Sequence, residues 1–386
     1  MKPTDISSAD DISALFRELD LRLQKGEFRP DMSIVDCHIH TYFSDAINYS
    51  LEKFIHDLDT RNVLVFSLTE HDNFNSTPLI KELLSGRDCT YITGIELSTR
   101  YTPDHNMHIK GFFPEMPRIS SKIMQYCIDT CEKRVERMKK VIEIVNSRMR
   151  NVTLLDAPYV ARIRFSIDSI LEMAGKPPLI EGIAMPPFLN TYMLSSEMSN
   201  ILSGNKNVIE AIYWSLHFGI QNSICQDAKR RKDHMSETEI IGFLAKYGVR
   251  IEEFGVKFDK DIDWNSMIEH VLLLPDSRGY KPLFYVDKPN ALSPEDAIAL
   301  IKDSGGVAEL AHPFETYRNN TGLLMSDLQR LNFDGIEVHS PKNPRDYVKI
   351  YSDIASGLGK YTGFGSDTHG PITSGKRDLG VLTAKD

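Results

Sequence analysis

The 386-residue chain sets 45 lysines and arginines against 54 aspartates and glutamates, a formal net charge of −9, which excludes a general polyanion-coating protein and leaves any nucleic-acid contact local. With 41% hydrophobic residues it can bury a large core, long for one ordinary domain and short for three. Cys37, Cys89, Cys127, Cys131 and Cys225 are odd in number and form no Cys-x-x-Cys pair, which excludes a disulfide frame or zinc knuckle. No charged-then-apolar leader and no membrane-length apolar run is present, so a cytoplasmic protein with no membrane contact is expected.

Residues 11–25 (DISALFRELDLRLQK) place Ile12, Leu15, Phe16, Leu19 and Leu23 at helical spacing before Gly26, and 1–30 reads as an N-terminal helical extension. Ile34-Val35 begins a short buried strand that leads into Asp36-Cys37-His38-Ile39-His40 and on to Asp45. His38 and His40, two residues apart, leave that strand on one face. A helix from Ser50 precedes the apolar run Val63–Leu68, which ends in Thr69-Glu70-His71-Asp72. A short helix near Leu79–Leu84 then leads to Ile92-Thr93-Gly94-Ile95-Glu96. Strand, helix, strand, helix, strand is the rhythm of a parallel α/β layer.

The rhythm breaks from Arg118 to about Met149, where Met124, Ile128, Cys131, Val135, Met138, Ile142, Val145 and Met149 recur in steps of four and three, predicting one long amphipathic helix. Its other faces are rich in lysine and arginine, including Arg134 and Arg137. Such charges are commonly a solvated face. Residues 151–288 lack the alternation, contain Pro177-Pro178 and Pro186-Pro187, and look helical between Thr191 and Lys246. They read as an inserted, mainly helical smaller domain between 31–150 and 289–386. Its basic run Lys229–Lys232 reads as an exposed helix end.

Alternation resumes at Ser293-Pro294-Glu295-Asp296, where Ser suits an N-cap, Pro the first helical position and the acids the helix dipole. The strand Val307–Ala311 then ends in His312, the strand Gly335–Val338 in His339, and the strand Thr362–Ser366 in Asp367-Thr368-His369.

Metal-type side chains thus stand at successive strand ends: His38 and His40, His71, Glu96, His108 in MHIKGFF, His312, and Asp367 with His369. One strand-end histidine is commonly a packed residue. So many together point to a multinuclear metal site at the carboxyl edge of the strands, with Asp45 able to join it and Glu96 able to bridge two ions. An all-nitrogen-and-oxygen donor set suits Mn, Fe or Zn.

The ordered set DCHIHTYFSD, SLTEHD, TGIELS, MHIKGF, ELAHP, GIEVHS and GFGSDTHG resembles the PHP (polymerase and histidinol phosphatase) family of metal-dependent phosphoesterases. The motifs run in family order from residue 34 to about 380, apart from the middle of the chain. The resemblance implies an α/β fold with a distorted (β/α)7 barrel carrying two to three divalent ions. By motif, His38 and His40 with Glu96 and Asp367 hold the first ion, His71 and His369 with Asp45 the second, and His108 and His312 with Glu96 the third. Where many members read Thr-Asp-His-Asp this chain has Thr69-Glu70-His71-Asp72, whose longer acid is expected to support His71 from behind. The middle also lacks the Gly-Arg-Pro-His stretch of small-substrate relatives.

The expected activity is hydrolysis of a phosphomonoester, a nucleotide or other small phosphorylated metabolite, or the end of a short oligonucleotide, by a metal-activated hydroxide. Glu96 and Asp367 are the expected catalytic carboxylates. Arg134 and Arg137 on the long helix are candidates to clamp the phosphate. His339 and Lys342 can contact the phosphate or protonate the leaving group. Two rivals remain: an amidohydrolase, which would need a carboxylated lysine or equivalent bridge, and a non-catalytic metal-binding module, against which the complete ligand set counts.

Overall fold

The computed structural model describes residues 6–28, 34–46, 49–102, 105–149, 162–176, 178–201, 292–370, 379–380 and 382. In chain order the elements are α1 (Ala9–Gln24), β1 (Val35–Ile39), α2 (Leu51–Arg61), β2 (Val65–Leu68), α3 (Thr77–Leu83), β3 (Thr90–Tyr91), β4 (Thr93–Thr102), β5 (His105–Phe113) and α4 (Lys122–Met149). After these come α5 (Ile167–Met173), the hairpin β6 (Leu179–Ile180) and β7 (Ile183–Ala184), α6 (Thr191–Ile201), α7 (Pro294–Asp303), β8 (Val307–Leu310), α8 (Pro313–Tyr317), α9 (Thr321–Arg330), β9 (Gly335–His339), α10 (Arg345–Gly357) and β10 (Tyr361–Phe364). The basic run Lys229–Lys232 and the helical stretch expected beyond Ile201 lie outside the described residues.

Local chemistry sets the helix ends. Ser8, Ser50 and Ser293 each accept a hydrogen bond from the backbone N–H three residues on, satisfying a donor that the first turn leaves open. Pro294 takes the first position of α7, as its fixed φ and missing N–H allow. The long helix begins at Lys122, where Ser121 Oγ accepts from Met124 N, and runs unbroken for 28 residues.

The strands form a parallel sheet in the order β1-β2-β3 and a mixed sheet in the order β10-β9-β8-β5-β4. The wholly parallel layer expected from the alternation is corrected at β5, which runs antiparallel to both β4 and β8. Only two residues separate β4 from β5, and a parallel return needs a crossover of a dozen or so. The two sheets also touch at isolated bridges: Ile39 with Thr368, and His71 with Glu96. There His40 N donates to Thr368 O at 3.0 Å, Asp72 N to Glu96 O at 2.9 Å and Glu96 N to Glu70 O at 3.1 Å.

Chain packing separates two units, one of residues 1–133, 174–188 and 289–386, the other of 134–173 and 189–288. In the first unit, Ile12, Leu15, Phe16 and Leu19 of α1 join Val35, Val65, Phe112, Val307 and Tyr361 in one buried cluster. In the second, the Asn146 side chain brackets Phe165 through two 2.8 Å hydrogen bonds to its backbone, fixing the approach to α5.

Candidate metal centre

Within the first unit, five imidazoles surround the Glu96 carboxylate, and a sixth, His369, faces Asp45. His38 lies in β1 and His40 just past its end; His71 follows β2; Glu96 is the fourth residue of β4; His312 follows β8; Asp367 and His369 follow β10. Neither Glu96 nor His108 stands at a strand end as expected: each lies in the first half of its strand, and the antiparallel register that pairs His108 with Ser98, and Lys110 with Glu96, brings the two to one face.

Around Glu96, His38 Nε2 stands at 3.1 Å, His40 Nε2 at 3.2 Å, His71 Nδ1 at 3.1 Å, His108 Nδ1 at 3.1 Å and His312 Nε2 at 3.5 Å. Asp367 Oδ1 lies 3.4 Å from His38 Nε2 and 3.2 Å from His40 Nε2. Asp45 Oδ2 lies 3.4 Å from His71 and 3.0 Å from His369 Nε2. His38 and His40 are fully buried, whereas His108, His369 and Asp45 keep 27%, 18% and 20% side-chain exposure, so the centre opens to solvent on their side.

The electrostatics follow from crowding. Burial alone would lower His38, but Glu96, Glu337 and Asp367 outweigh it and push it up to about 9. Burial raises the Glu96 carboxyl, yet His38, His108 and His71 outweigh that and hold it well below the usual carboxylate range.

Buried polar atoms are ordinarily hydrogen-bonded. Among the described residues, His38 Nε2, His40 Nε2, His71 Nδ1, His312 Nε2 and both Glu96 oxygens are buried without a hydrogen bond. Orphaned imidazole and carboxylate atoms pointed at one another fit first-row divalent cations. Three sets lie within mutual reach of a single ion: His40, Asp45, His71 and His369; His38, His40 and Asp367; and His38, Glu96 and His312. His40 thus falls in the second expected set as well as the first, and His38 takes the place beside Glu96 and His312 that the resemblance gave to His108, which is in none of the three, while Glu96 is absent from the set of His38, His40 and Asp367. Two of these residues have unusual backbones, with φ of +24° at His312 and +52° at Asp367. Such strain in non-glycine residues collects where a site requires it.

Glu70 does not support His71 as expected. It is fully buried and accepts from Thr41 N at 3.1 Å, from Thr41 Oγ1 and from Ser44 Oγ at 2.6 Å, so its extra methylene reaches across to the loop that presents Asp45. Lys342 ion-pairs with Asp367 and, at 3.0 Å, with Glu315, which in turn lies 3.1 Å from His312 Nδ1. His339 stands outside all three sets. Its ring stacks on Phe364 at 4.7 Å and its Nε2 faces Asp20 at 3.5 Å, so packing, not the centre, accounts for its position. Arg134 and Arg137 lie on the part of α4 that belongs to the second unit, with Arg137 buried.

The sequence reading missed Lys110, Glu309 and Glu337, a fully buried cluster in which Lys110 Nζ lies 2.7 Å from Glu309 and 2.5 Å from Glu337. Their signal was available: three charges set within otherwise apolar strand segments. Gly363 and Gly365 leave the room, since a Cβ at Gly363 would collide with the Glu309 carboxylate and one at Gly365 with Glu337 and His38.

No family model matches the chain. Over 88 residues it is 37% identical to the 3',5'-nucleoside bisphosphate phosphatase of Chromobacterium violaceum, a match that covers 22% of this chain and 30% of that protein. Its fold is like that of a Bifidobacterium adolescentis protein assigned as a metal-dependent phosphoesterase (TM-score 0.53, 16% identity, 91% of this chain and 92% of the other). It is also like an amidohydrolase from Chromobacterium violaceum solved with sulfate and no metal (TM-score 0.54, 19% identity, 91% and 93%). These matches bear out the resemblance to PHP-type phosphoesterases that the motifs carry.

Proposed function

We propose that this chain is a metal-dependent phosphoesterase that hydrolyses a phosphomonoester, either a nucleotide or other small phosphorylated metabolite or the end of a short oligonucleotide. The observation that carries the reading is the convergence of five histidines on the buried Glu96, with Asp367 beside His38 and His40 and Asp45 beside His71 and His369. Two to three divalent cations, if held there, would supply a nucleophile at neutral pH and offset phosphoryl charge. Glu96, which faces five of the histidines, would be the carboxylate shared between ions, and Asp367 would join His38 and His40.

Lys342 stands beside Asp367 with 15% side-chain exposure, so its ammonium can meet a phosphoryl oxygen at the lip of the centre. Arg134 and Arg137 remain proposed phosphate contacts on the grounds of charge alone. The bridges that tie the two sheets at Ile39 and His71 support a distorted (β/α)7 barrel, and the break in alternation supports a mainly helical insert at 151–288. The nucleoside bisphosphate phosphatase match favours nucleotides among the candidate substrates.

The amidohydrolase reading wants a lysine-derived bridge. Buried Lys110 cannot serve, because its Nζ is held between two carboxylates. A phosphate-release screen over nucleotides, sugar phosphates and short oligonucleotides, with metal analysis of the same sample, tests the proposal. Bound metal without phosphate release from any of them would refute it.

A further inference from the structure

The cluster beneath the histidines is assembled by strand register. Lys110 pairs with Glu309 across β5 and β8, Glu309 with Gly335 across β8 and β9, and Glu337 with Gly363 across β9 and β10. One lysine faces two carboxylates, yet the two are not equivalent. Glu337 lies 2.9 Å from His38 Nδ1 through Oε1 and accepts from the His312 backbone N–H at 2.7 Å through Oε2. Glu309 contacts neither residue in this way; its ion pair is with Lys110.

We propose that Glu337 is a positioning residue that sets two metal ligands at once. With Nδ1–H donated to Glu337, the His38 ring is held in one tautomer and one orientation, which leaves Nε2 facing Glu96 and Asp367. The same carboxylate anchors His312 by its backbone, and so holds the residue in the left-handed conformation, φ +24° and ψ 67°, from which its ring reaches Glu96. Lys110 keeps Glu337 paired in a wholly buried place, where an unpaired carboxylate would be costly. Gly365 completes the arrangement, because any side chain there would strike both Glu337 and His38.

The inference rests on the reading that the centre holds cations, and the experiment separates the two. Full-length wild type, Glu337→Gln and Glu309→Gln are titrated with Zn²⁺ or Mn²⁺ against a fluorescent chelator. Glu337→Gln should bind metal about 10- to 100-fold more weakly, the usual cost of losing an outer-shell partner, while Glu309→Gln stays within about twofold. Equal losses in the two variants would mean that the cluster acts only through stability, and would overturn the assignment. So would unchanged affinity in Glu337→Gln. Wild type that takes up neither metal overturns the phosphoesterase reading and this inference with it. If Glu337→Gln fails to fold, histidine ¹⁵N NMR of zinc-loaded wild type decides: His38 should carry its proton on Nδ1 and bind through Nε2, and the reverse assignment refutes the role.

Discussion

Glu70 gathers three donors from the turn between His40 and Asp45, and nothing in the local pattern of Thr-Glu-His-Asp says so. Removing its carboxylate would strand those donors in a buried place, at about 1–3 kcal/mol for each that finds no substitute. Because the two hydroxyls can rotate, Glu70→Ala should lose about 2–4 kcal/mol in urea unfolding and also weaken metal retention through Asp45. A variant with wild-type stability would show that the acid is dispensable. Glu96 offers the sharper test of chemistry. Glu96→Gln keeps the shape and removes the charge that five histidines face, so bound metal and activity should fall together, with kcat/KM down by more than about 100-fold, beyond the usual cost of an outer-shell loss. Full turnover with normal metal content would defeat its bridging role.

At the scale of elements, the N-terminal helical extension of residues 1–30 carries α1, which groups with the strands in one unit, and Phe16 stacks on Tyr361 at 4.7 Å and meets Phe112 at 5.3 Å. Such a ring fills space that its neighbours cannot collapse to close, so Phe16→Ala should cost about 3–5 kcal/mol by denaturant unfolding. A loss under about 1 kcal/mol would mean that α1 is only loosely attached. The helix itself was legible because its apolar residues recur at helical spacing before Gly26, a local property. What it packs against was not. The same holds for β5: the sequence placed His108 at a strand end, but the strand's direction followed from the two-residue link to β4 and brought His108 in from its first half.

Across the whole molecule, candidate ligands from β1, β4 and the segments after β1, β2, β8 and β10 meet at one place, with His108 of β5 facing Glu96, so cations held there would cross-link much of the first unit. Binding to the folded state alone adds about 2.7 kcal/mol per site when free metal is 100-fold above Kd. Stripping the protein with a chelator should therefore lower its melting temperature by about 5 °C or more, recovered by adding metal back. An identical melting curve with and without chelator would count against any resident metal. Among the described residues, no helix is long and apolar enough to cross a membrane.

The sequence by itself singled out the histidines and acids that gather around Glu96, because a His, Asp or Glu set in or just after a short apolar run is visible within a few neighbouring positions. It also determined the mixture of helix and strand and the caps that divide them. Tertiary structure alone decided how the ligands group, why Glu70 holds a loop instead of a histidine, and that His339 turns toward Asp20. It alone brought Lys110 to Glu337 across 227 positions of chain. Such meetings depend on the register between strands distant in sequence, and register is set by packing of whole sheets, which no local pattern encodes.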